Sequence, residues 1–206
     1  MATWNVNSIK QRVPRLLPWL DQRQPDVVCL QETKLADDAL AELLGEQLVS
    51  RGYEFALHGE MQWNGVAILS KVGVDDVVLG VPGAPGFPNP EARAVSATCG
   101  GVRVHSVYVP NGRVPDSDHY RYKLDWLAKL QAAGTSWLVS DPHAQIALMG
   151  DWNIAPQDDD VWSMAFYEGK THVSAPERAA FAGVVGAGFA DPVRPLLPGP
   201  GTYTYW

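Results

Sequence analysis

The sequence has little cysteine and no long apolar run. Its 206 residues include two cysteines, Cys29 and Cys99, and both lie in short apolar segments typical of strands. We expect buried, reduced thiols, because no other secretory feature supports a disulfide. No apolar segment has the length of a membrane span, and the amino terminus lacks a charged stretch followed by an apolar one. We therefore expect a cytoplasmic protein with no membrane partner.

Positive charge is also scarce. Sixteen Lys and Arg residues stand against 23 Asp and Glu residues, which gives a formal net charge of −7. This charge argues against a generic basic nucleic-acid binder. It does not exclude an enzyme that acts on nucleic acid, since a site that gathers carboxylates around a metal ion is itself acidic. The length and the apolar fraction of 46% predict one globular domain over residues 1–206.

One segment, residues 146–153 (IALMGDWN), organises the chain. Its four apolar residues predict a buried strand that ends at Gly150, so that Asp151 and Asn153 stand at the strand's carboxyl end. Open α/β sheets place their chemistry at such ends. Taken alone, a G-D-x-N pattern is more often an Asx-rich turn, and the rest of the chain has to decide between the two interpretations.

Strand and helix patterns interleave along the chain. This order predicts an α/β (α+β) fold in which helices cover mixed sheets, a layered sandwich. Apolar runs predict strands at residues 2–6, 26–30, 53–57, 66–70, 77–81, 93–98 and 102–109, with further strand character at 188–193 and 201–206. Leucine spacing predicts helices from near Val13 to Pro25, over 37–49, after Asp116 or Asp118, and over 175–185, with a short helix capped by residues 158–160. The third of these helices is expected to bury Tyr120, Leu124, Leu127 and Gln131, with Lys123 off that face.

Polar side chains stand at the ends of several predicted strands. Each is ordinary alone: an asparagine forms turns, a glutamate caps helices, and a tyrosine packs in cores. At one face of a sheet, however, a carboxylate with amide oxygens and waters makes a plausible Mg²⁺ site. Metal-assisted phosphodiester hydrolysis is the chemistry that such a set serves best. The residues are Asn7, Glu32, Tyr108, Asn111, Asp151 and Asn153.

Five collinear motifs resemble the exonuclease III family, the exodeoxyribonuclease and abasic-site endonuclease branch of the endonuclease/exonuclease/phosphatase superfamily. They are residues 4–10 (WNVNSIK), 30–34 (LQETK), 64–68 (NGVAI), 108–112 (YVPNG) and 150–156 (GDWNIAP), and residues 171–174 and 176–178 resemble a later family segment. The resemblance implies a four-layered, DNase I-like sandwich of two mixed sheets flanked by helices. It also implies Mg²⁺, or Mn²⁺ in its place, as cofactor.

The resemblance implies roles for the strand-end residues. Glu32 matches the family's metal-binding glutamate, and Asn7 matches a residue beside the same metal. Asp151 matches the aspartate that handles the proton of the attacking water or of the leaving oxygen. Asn153 matches the residue that stabilises the transition-state phosphate, and Tyr108 matches a tyrosine near it.

The resemblance also implies a substrate. Asn111, Lys123 and Arg93 align with positions near the DNA backbone, and Tyr205 and Trp206 match the aromatic pair that receives the sugar of a flipped abasic nucleotide. A nucleotide without a base loses no stacking when it is turned out of the duplex. The expected substrate is double-stranded DNA with abasic sites or 3′ ends, bound by a monomer in base excision repair.

The family pattern continues beyond the terminal aromatics, with a strand that carries a catalytic aspartate and with a Ser-Asp-His motif. By resemblance, we therefore expect a C-terminally incomplete member that lacks the last strands of its second sheet. Two alternatives stay open. One is a catalytically inactive fragment with residual DNA binding, and the other is a superfamily phosphatase that acts on phosphoinositides or another phosphoester.

Overall fold

Two four-stranded sheets make up most of the first of two compact units. The computed structural model describes residues 1–204. The first unit comprises residues 1–81, 88–108 and 144–152, and the second comprises residues 82–87, 109–143 and those from 153 onward. The prediction of a single domain stays a prediction. The strands are β1 (Ala2–Asn5), β2 (Val27–Gln31), β3 (Glu54–His58), β4 (Val66–Ser70), β5 (Asp75–Leu79), β6 (Ala94–Cys99), β7 (Val102–Tyr108) and β8 (Ile146–Asp151).

Both sheets are mixed, and each contains one parallel pair. The strand orders are β1-β2-β4-β3 and β5-β6-β7-β8. Strands β1 and β2 are parallel, with Asn5 opposite Gln31, and β7 and β8 are parallel, with Tyr108 opposite Asp151. The remaining pairs are antiparallel. The carboxyl ends of each parallel pair therefore lie side by side, which is the arrangement that gathers polar side chains.

Two apolar clusters of the first unit lie on opposite faces of the first sheet. Helices α1 (Ile9–Arg23) and α2 (Asp37–Val49) bury their leucines against one face of β2 and β4. The other face packs against β6 and β7 of the second sheet. Cys29 and Cys99 lie in this inter-sheet cluster as buried free thiols, as predicted, and burial raises the pKa of the Cys29 thiol to about 12.

Helix α1 begins earlier than predicted. The expected start was near Val13, because Pro14 and Pro18 disfavour a helix interior. The helix instead begins at Ile9, whose backbone N–H donates to the Thr33 carbonyl at 3.1 Å and whose side chain is fully buried. Tertiary anchoring of the first turn thus outweighs the missing hydrogen bonds at the two prolines.

The second unit is helical in its regular parts. Helix α3 (Asp118–Ser140) packs on α5 (Ala175–Gly186), and a 3₁₀ turn at Asp158–Asp160 forms where a short capped helix was predicted. The predicted buried face of α3 is partly wrong: Lys123 is buried, whereas Leu124 and Gln131 are half-buried. A short helix, α4 (Met164–Tyr167), lies between α3 and α5 in the sequence.

The end of the second unit differs from the sequence-based prediction. Neither residues 188–193 nor residues 201–204 form a strand. Four prolines, at 192, 195, 198 and 200, and the glycines at 188, 199 and 201 accompany this irregular backbone. Within residues 1–204, no helix is long and apolar enough to cross a membrane.

Candidate active site

Two carboxylates meet at the strand ends of the first unit, held by one amide group. The Nδ2 atom of Asn5 donates to Glu32 Oε1 at 2.7 Å and to Asp151 Oδ2 at 2.7 Å. Asn5 ends β1, Glu32 follows β2, and Asp151 ends β8, so the two sheets each contribute to the cluster. A carboxylate only accepts hydrogen bonds, and the shared donor therefore allows the two anionic groups to lie close together.

A lysine ammonium occupies the space between the two predicted metal ligands. Lys34 Nζ lies 2.8 Å from Glu32 Oε2 and donates to Asn7 Oδ1 at 2.6 Å. The oxygens of Glu32 and Asn7 thus already converge on one positive charge. All three residues have left-handed backbones, with φ of 45° at Asn7, 55° at Glu32 and 55° at Lys34. Such conformations are costly for residues other than glycine, and they concentrate at functional sites.

Tyr108 completes the surroundings of Glu32. Its hydroxyl donates a hydrogen bond to the Glu32 carboxylate. Burial opposes the ionisation of Glu32, but hydrogen bonds from Lys34, Asn5 and Tyr108 outweigh it and lower the pKa of the carboxyl. Burial and the negative charge of Glu32 raise the pKa of the Tyr108 phenol. Glu32 is therefore an anion at neutral pH, and Tyr108 is a protonated donor.

Arg93 supports Tyr108 from within the fold. Its guanidinium lies 4.9 Å from the centre of the Tyr108 ring and bonds Glu91 at 2.7 Å. The residue is 9% exposed. Arg93 therefore lies beside a residue of the candidate site. Its predicted place near the DNA backbone stays a prediction.

In the second unit, Asn111 and Asn153 lie together. Asn111 Nδ2 donates to Asn153 Oδ1 at 3.2 Å, and Asn153 Nδ2 donates to the Val109 carbonyl at 2.8 Å. Asn153 is buried and has a left-handed backbone, with φ of 49°. Its side-chain orientation is thus fixed by hydrogen bonds to the segment that follows β7.

Lys123 lies in the interior of the second unit rather than at its surface. It is fully buried, pairs with Glu177 of α5, and donates to the Asn153 carbonyl at 2.6 Å. Its ammonium group is enclosed by protein, and the predicted place of Lys123 near the DNA backbone stays a prediction. His172 Nδ1 also bonds the Asn153 carbonyl, at 2.6 Å. Lys123 and His172 together hold the backbone at Asn153.

Sequence reasoning missed two residues that organise these clusters. Asn5 stands in the first motif, but its residue type indicates only a turn. The sequence around Glu177 indicates only the last residue of an S-x-x-E capping box. The box is present, and Ser174 and Glu177 bond each other's side chains and backbone. Glu177 also accepts from Thr171 Oγ1 at 2.6 Å. Tyr205 and Trp206, predicted to bind the abasic sugar, lie outside the described residues.

The donor set fits a hard divalent cation. Among residues 1–204, no group of three or more His, Cys, Asp or Glu side chains is placed to hold a metal ion. A metal held by Glu32 would therefore rely on amide oxygens and water for its remaining ligands. Mg²⁺ is commonly bound in this way, through one or two carboxylates, with several waters retained.

Comparisons with known proteins identify the family. A sequence model described as "Endonuclease/Exonuclease/phosphatase family" matches residues 2–206. The chain belongs to this family. Its relatives include "DNA repair nuclease APEX1" of Danio rerio, 28% identical over 210 residues, with 100% of this chain and 66% of the relative covered. They also include "Exodeoxyribonuclease" of Bacillus subtilis, 27% identical over 216 residues, with 100% of this chain and 79% of the relative covered.

Solved structures of family members agree with the fold. A 3′-5′ exonuclease (NExo) from Neisseria meningitidis is 36% identical, with a TM-score of 0.90, and the match covers 99% of this chain and 77% of that one. An AP endonuclease from Archaeoglobus fulgidus is 33% identical, with a TM-score of 0.90 and coverage of 99% and 76%. The predicted family, its nuclease relatives and the DNase I-like sandwich are confirmed. Family membership also supports metal dependence, whereas Mg²⁺ as the metal stays a prediction.

Proposed function

We propose that this chain hydrolyses phosphodiester bonds of DNA in base excision repair, as an exodeoxyribonuclease and abasic-site endonuclease. The observation that carries the proposal is the cluster in which Asn5 holds Glu32 and Asp151 at 2.7 Å each. A carboxylate pair in which one member binds a cation and the other handles a proton suits hydrolysis of a phosphate ester. The names of the nuclease relatives support DNA as the substrate.

Glu32 and Asn7 would hold the metal. Their oxygens already lie around the Lys34 ammonium, at 2.8 Å and 2.6 Å, which marks the place as favourable for positive charge. Mg²⁺, or Mn²⁺ in its place, would supply charge stabilisation to the phosphate oxygens. The lowered pKa of Glu32 keeps its carboxylate available over the neutral range.

Asp151 would take or give the proton. It stands at the end of β8 with one oxygen fixed by Asn5, so the direction of its carboxylate is set before substrate binds. A positioned general base typically contributes about 10²- to 10⁴-fold to the rate. The phosphate-stabilising role assigned to Asn153 and the substrate contact assigned to Asn111 are part of the same proposal.

The proposed substrate is double-stranded DNA with abasic sites or 3′ ends, bound by a monomeric, cytoplasmic protein. The test presents the chain with three substrates in Mg²⁺: an abasic duplex, a duplex with recessed 3′ ends, and a soluble phosphoinositide. Glu32→Gln is measured alongside the unchanged chain, and Glu46→Gln on the exposed side of α2 serves as the matched control.

We expect cleavage of the DNA substrates only, and we expect Glu32→Gln to shift the Mg²⁺ dependence to higher concentration. A neutral amide oxygen is a poorer ligand for a hard dication than a carboxylate. An unchanged Mg²⁺ midpoint would show that Glu32 is structural. Binding of abasic duplex without cleavage would favour the inactive alternative, and phosphoinositide hydrolysis would favour the phosphatase.

A further inference from the structure

The second unit contains a pocket whose lining combines aromatic rings with positive charge. Its volume is about 540 Å³, within the range of about 300–1,000 Å³ that is usual for small-ligand sites. Its lining includes Arg113, Trp162, Phe166, Tyr167 and Lys170, and among residues 1–204 none of the lining residues is an aspartate or a glutamate. In a chain with a formal net charge of −7, such a lining favours an anionic ligand.

The aromatic rings at this pocket are exposed and grouped. Trp162 is 54% exposed and Phe166 is 47% exposed, and their ring centres are 5.0 Å apart. Tyr167 lies edge-on to Phe166 at 5.1 Å and is buried, so it supports the exposed pair from below. Neighbouring exposed aromatic rings offer flat apolar faces to a ligand.

Two cations accompany the rings. Lys170 Nζ lies 3.3 Å from the centre of the Phe166 ring, and Arg113 lines the same pocket. Within residues 1–204, neither cation forms an ion pair with a carboxylate. Both charges are therefore available to a ligand.

We propose that this pocket binds one unpaired base of a DNA strand together with its phosphate. The base stacks on the exposed ring of Trp162, and Arg113 and Lys170 contact the phosphate. Stacking platforms of aromatic rings beside cations are the general means of binding single-stranded nucleic acid, because every base has a π-face. The inference rests on the proposed function and deepens it, since it assigns a place to the part of a DNA substrate that has left the duplex.

The experiment measures binding rather than cleavage. Fluorescence anisotropy, in a chelating buffer, compares a short single-stranded oligothymidylate, a blunt duplex, and the same duplex with a single-stranded 3′ extension. The variants are Trp162→Ala, Trp162→Phe and Lys170→Ala. Lys129→Ala is the matched control, because Lys129 is an exposed lysine of α3 in the same unit and does not line the pocket.

We expect Trp162→Ala to weaken binding of the oligothymidylate and of the extended duplex by about 5- to 150-fold, the loss produced by removing one base–aromatic stack. Trp162→Phe retains a ring and should stay within about 3-fold of the unchanged chain. Lys170→Ala should reduce the slope of log K against log salt by about 1, and Lys129→Ala should leave it unchanged. Blunt-duplex binding should be the same in all variants.

A second readout locates the contact even if Trp162→Ala fails to fold. The indole N–H resonance of Trp162 is identified by its absence from the Trp162→Phe spectrum, and stacking of a base should shift it on titration with oligothymidylate. An unmoved resonance at saturation, or equal oligothymidylate binding by Trp162→Ala and the unchanged chain, would overturn the pocket assignment. If none of the proteins binds the blunt duplex, the unchanged chain included, that result would instead contradict the proposed function.

Discussion

At the residue scale, a single amide group determines how the candidate site is built. Asn5 donates both of its Nδ2 hydrogens to carboxylates, and its Oδ1 accepts the backbone N–H of Asn7 at 3.0 Å. Every polar atom of the side chain is therefore used to position another residue. Residues that orient a metal-binding or catalytic side chain through hydrogen bonds contribute strongly to activity, even where they carry no charge themselves.

Replacing Asn5 with alanine should lower DNA cleavage by about 10- to 100-fold, the usual cost of losing an orienting partner. Glu32 and Asp151 would then repel each other without a shared donor. Single-turnover cleavage of an abasic duplex measures the effect. Thr3→Ala is the control, because Thr3 lies on the same strand and donates to Gln31 rather than to the carboxylates. Equal losses in both variants would assign Asn5 to the stability of β1 alone.

The buried pair of Lys123 and Glu177 gives a second prediction at this scale. Glu177→Gln removes the negative charge and leaves a fully buried ammonium without its partner. We expect a loss of about 3–5 kcal/mol in the free energy of unfolding. Urea unfolding measures it, with exposed Glu168→Gln as the control. A loss no larger than that of the control would mean that the pair is stabilised by other contacts.

The same pair predicts a pH dependence. Burial opposes the ionisation of Glu177, but Lys123 and the hydrogen bonds from Ser174 and Thr171 outweigh it and lower the pKa of the carboxyl. The stabilisation is therefore complete above the ordinary glutamate pKa of about 4.3 and is lost as the pH falls through the lower folded value. Unfolding free energies measured from neutral to acidic pH should show this decline, and Glu177→Gln should lack its share of it.

Residue-level reasoning from the sequence found the acidic groups but not their partners. Glu32 and Asp151 stand at strand ends inside recognisable motifs, where a carboxylate suggests chemistry. Asn5 and Glu177 have the same residue types as ordinary turns and helix caps, and only the tertiary contacts show what they hold. The burial of Lys123 was not predicted for the same reason, since a lysine in an amphipathic helix is expected at the surface unless its buried partner is known.

At the element scale, strand β8 depends on a glycine at its end. Gly150 has φ of 151°, and a Cβ atom at this position would lie 1.9 Å from the Val107 carbonyl oxygen of β7. The parallel pairing of β7 and β8, which places Tyr108 opposite Asp151, is therefore possible only without a side chain. The close approach of the β7 backbone therefore explains why a glycine precedes the aspartate in this motif.

Gly150→Ala should lower the free energy of unfolding by about 3 kcal/mol or more, because backbone of β7 would have to move. The matched control is Gly186→Ala at the end of α5, where an added Cβ meets nothing within 4 Å. That change should be neutral or slightly stabilising, since alanine is the better helix former. Thermal or urea unfolding of both variants measures the difference, and equal stabilities would mean that β8 tolerates a shift.

Strands β2 and β6 give a chemical prediction. Cys29 is 0% exposed and Cys99 is 1% exposed, and burial raises the pKa of both thiols. Neither thiol should react with iodoacetamide in the folded protein, because the reagent requires an accessible thiolate. Mass spectrometry counts the modified thiols before and after unfolding. Ser140→Cys, at the exposed end of α3, should react in the folded state, and rapid modification of the native cysteines would contradict the inter-sheet packing.

The elements themselves were largely predictable. Continuous apolar runs placed β2 and β4 almost to the residue, and leucine spacing placed α2. Helix α1 and the stretch after α5 were not, because the start of α1 depends on hydrogen bonds to a distant loop and residues 188–193 carry an apolar pattern that finds no strand partner within the described chain. The local sequence pattern indicates which face of an element is buried, but it does not identify the element that packs against that face.

At the scale of the whole molecule, the arrangement of the first unit explains why the acidic cluster forms where it does. Two mixed sheets each contain one parallel pair, and the ends of β1, β2 and β8 contribute Asn5, Glu32 and Asp151. Family motifs far apart in the sequence become one site through this topology. The order of the motifs therefore predicted the fold and its family better than any single motif could.

The most direct test of DNA hydrolysis at this site is single-turnover cleavage of an abasic duplex by Asp151→Asn in Mg²⁺, with binding of the same duplex measured in a chelating buffer. An amide keeps the shape of the side chain but cannot take a proton, so we expect a fall in rate of about 10²- to 10⁴-fold with duplex affinity within about 3-fold of the unchanged chain. Asp125→Asn, on the exposed side of α3, is the matched control and should cleave normally. Cleavage by Asp151→Asn at a rate near that of the unchanged chain would contradict the assignment of the acidic cluster as the active site.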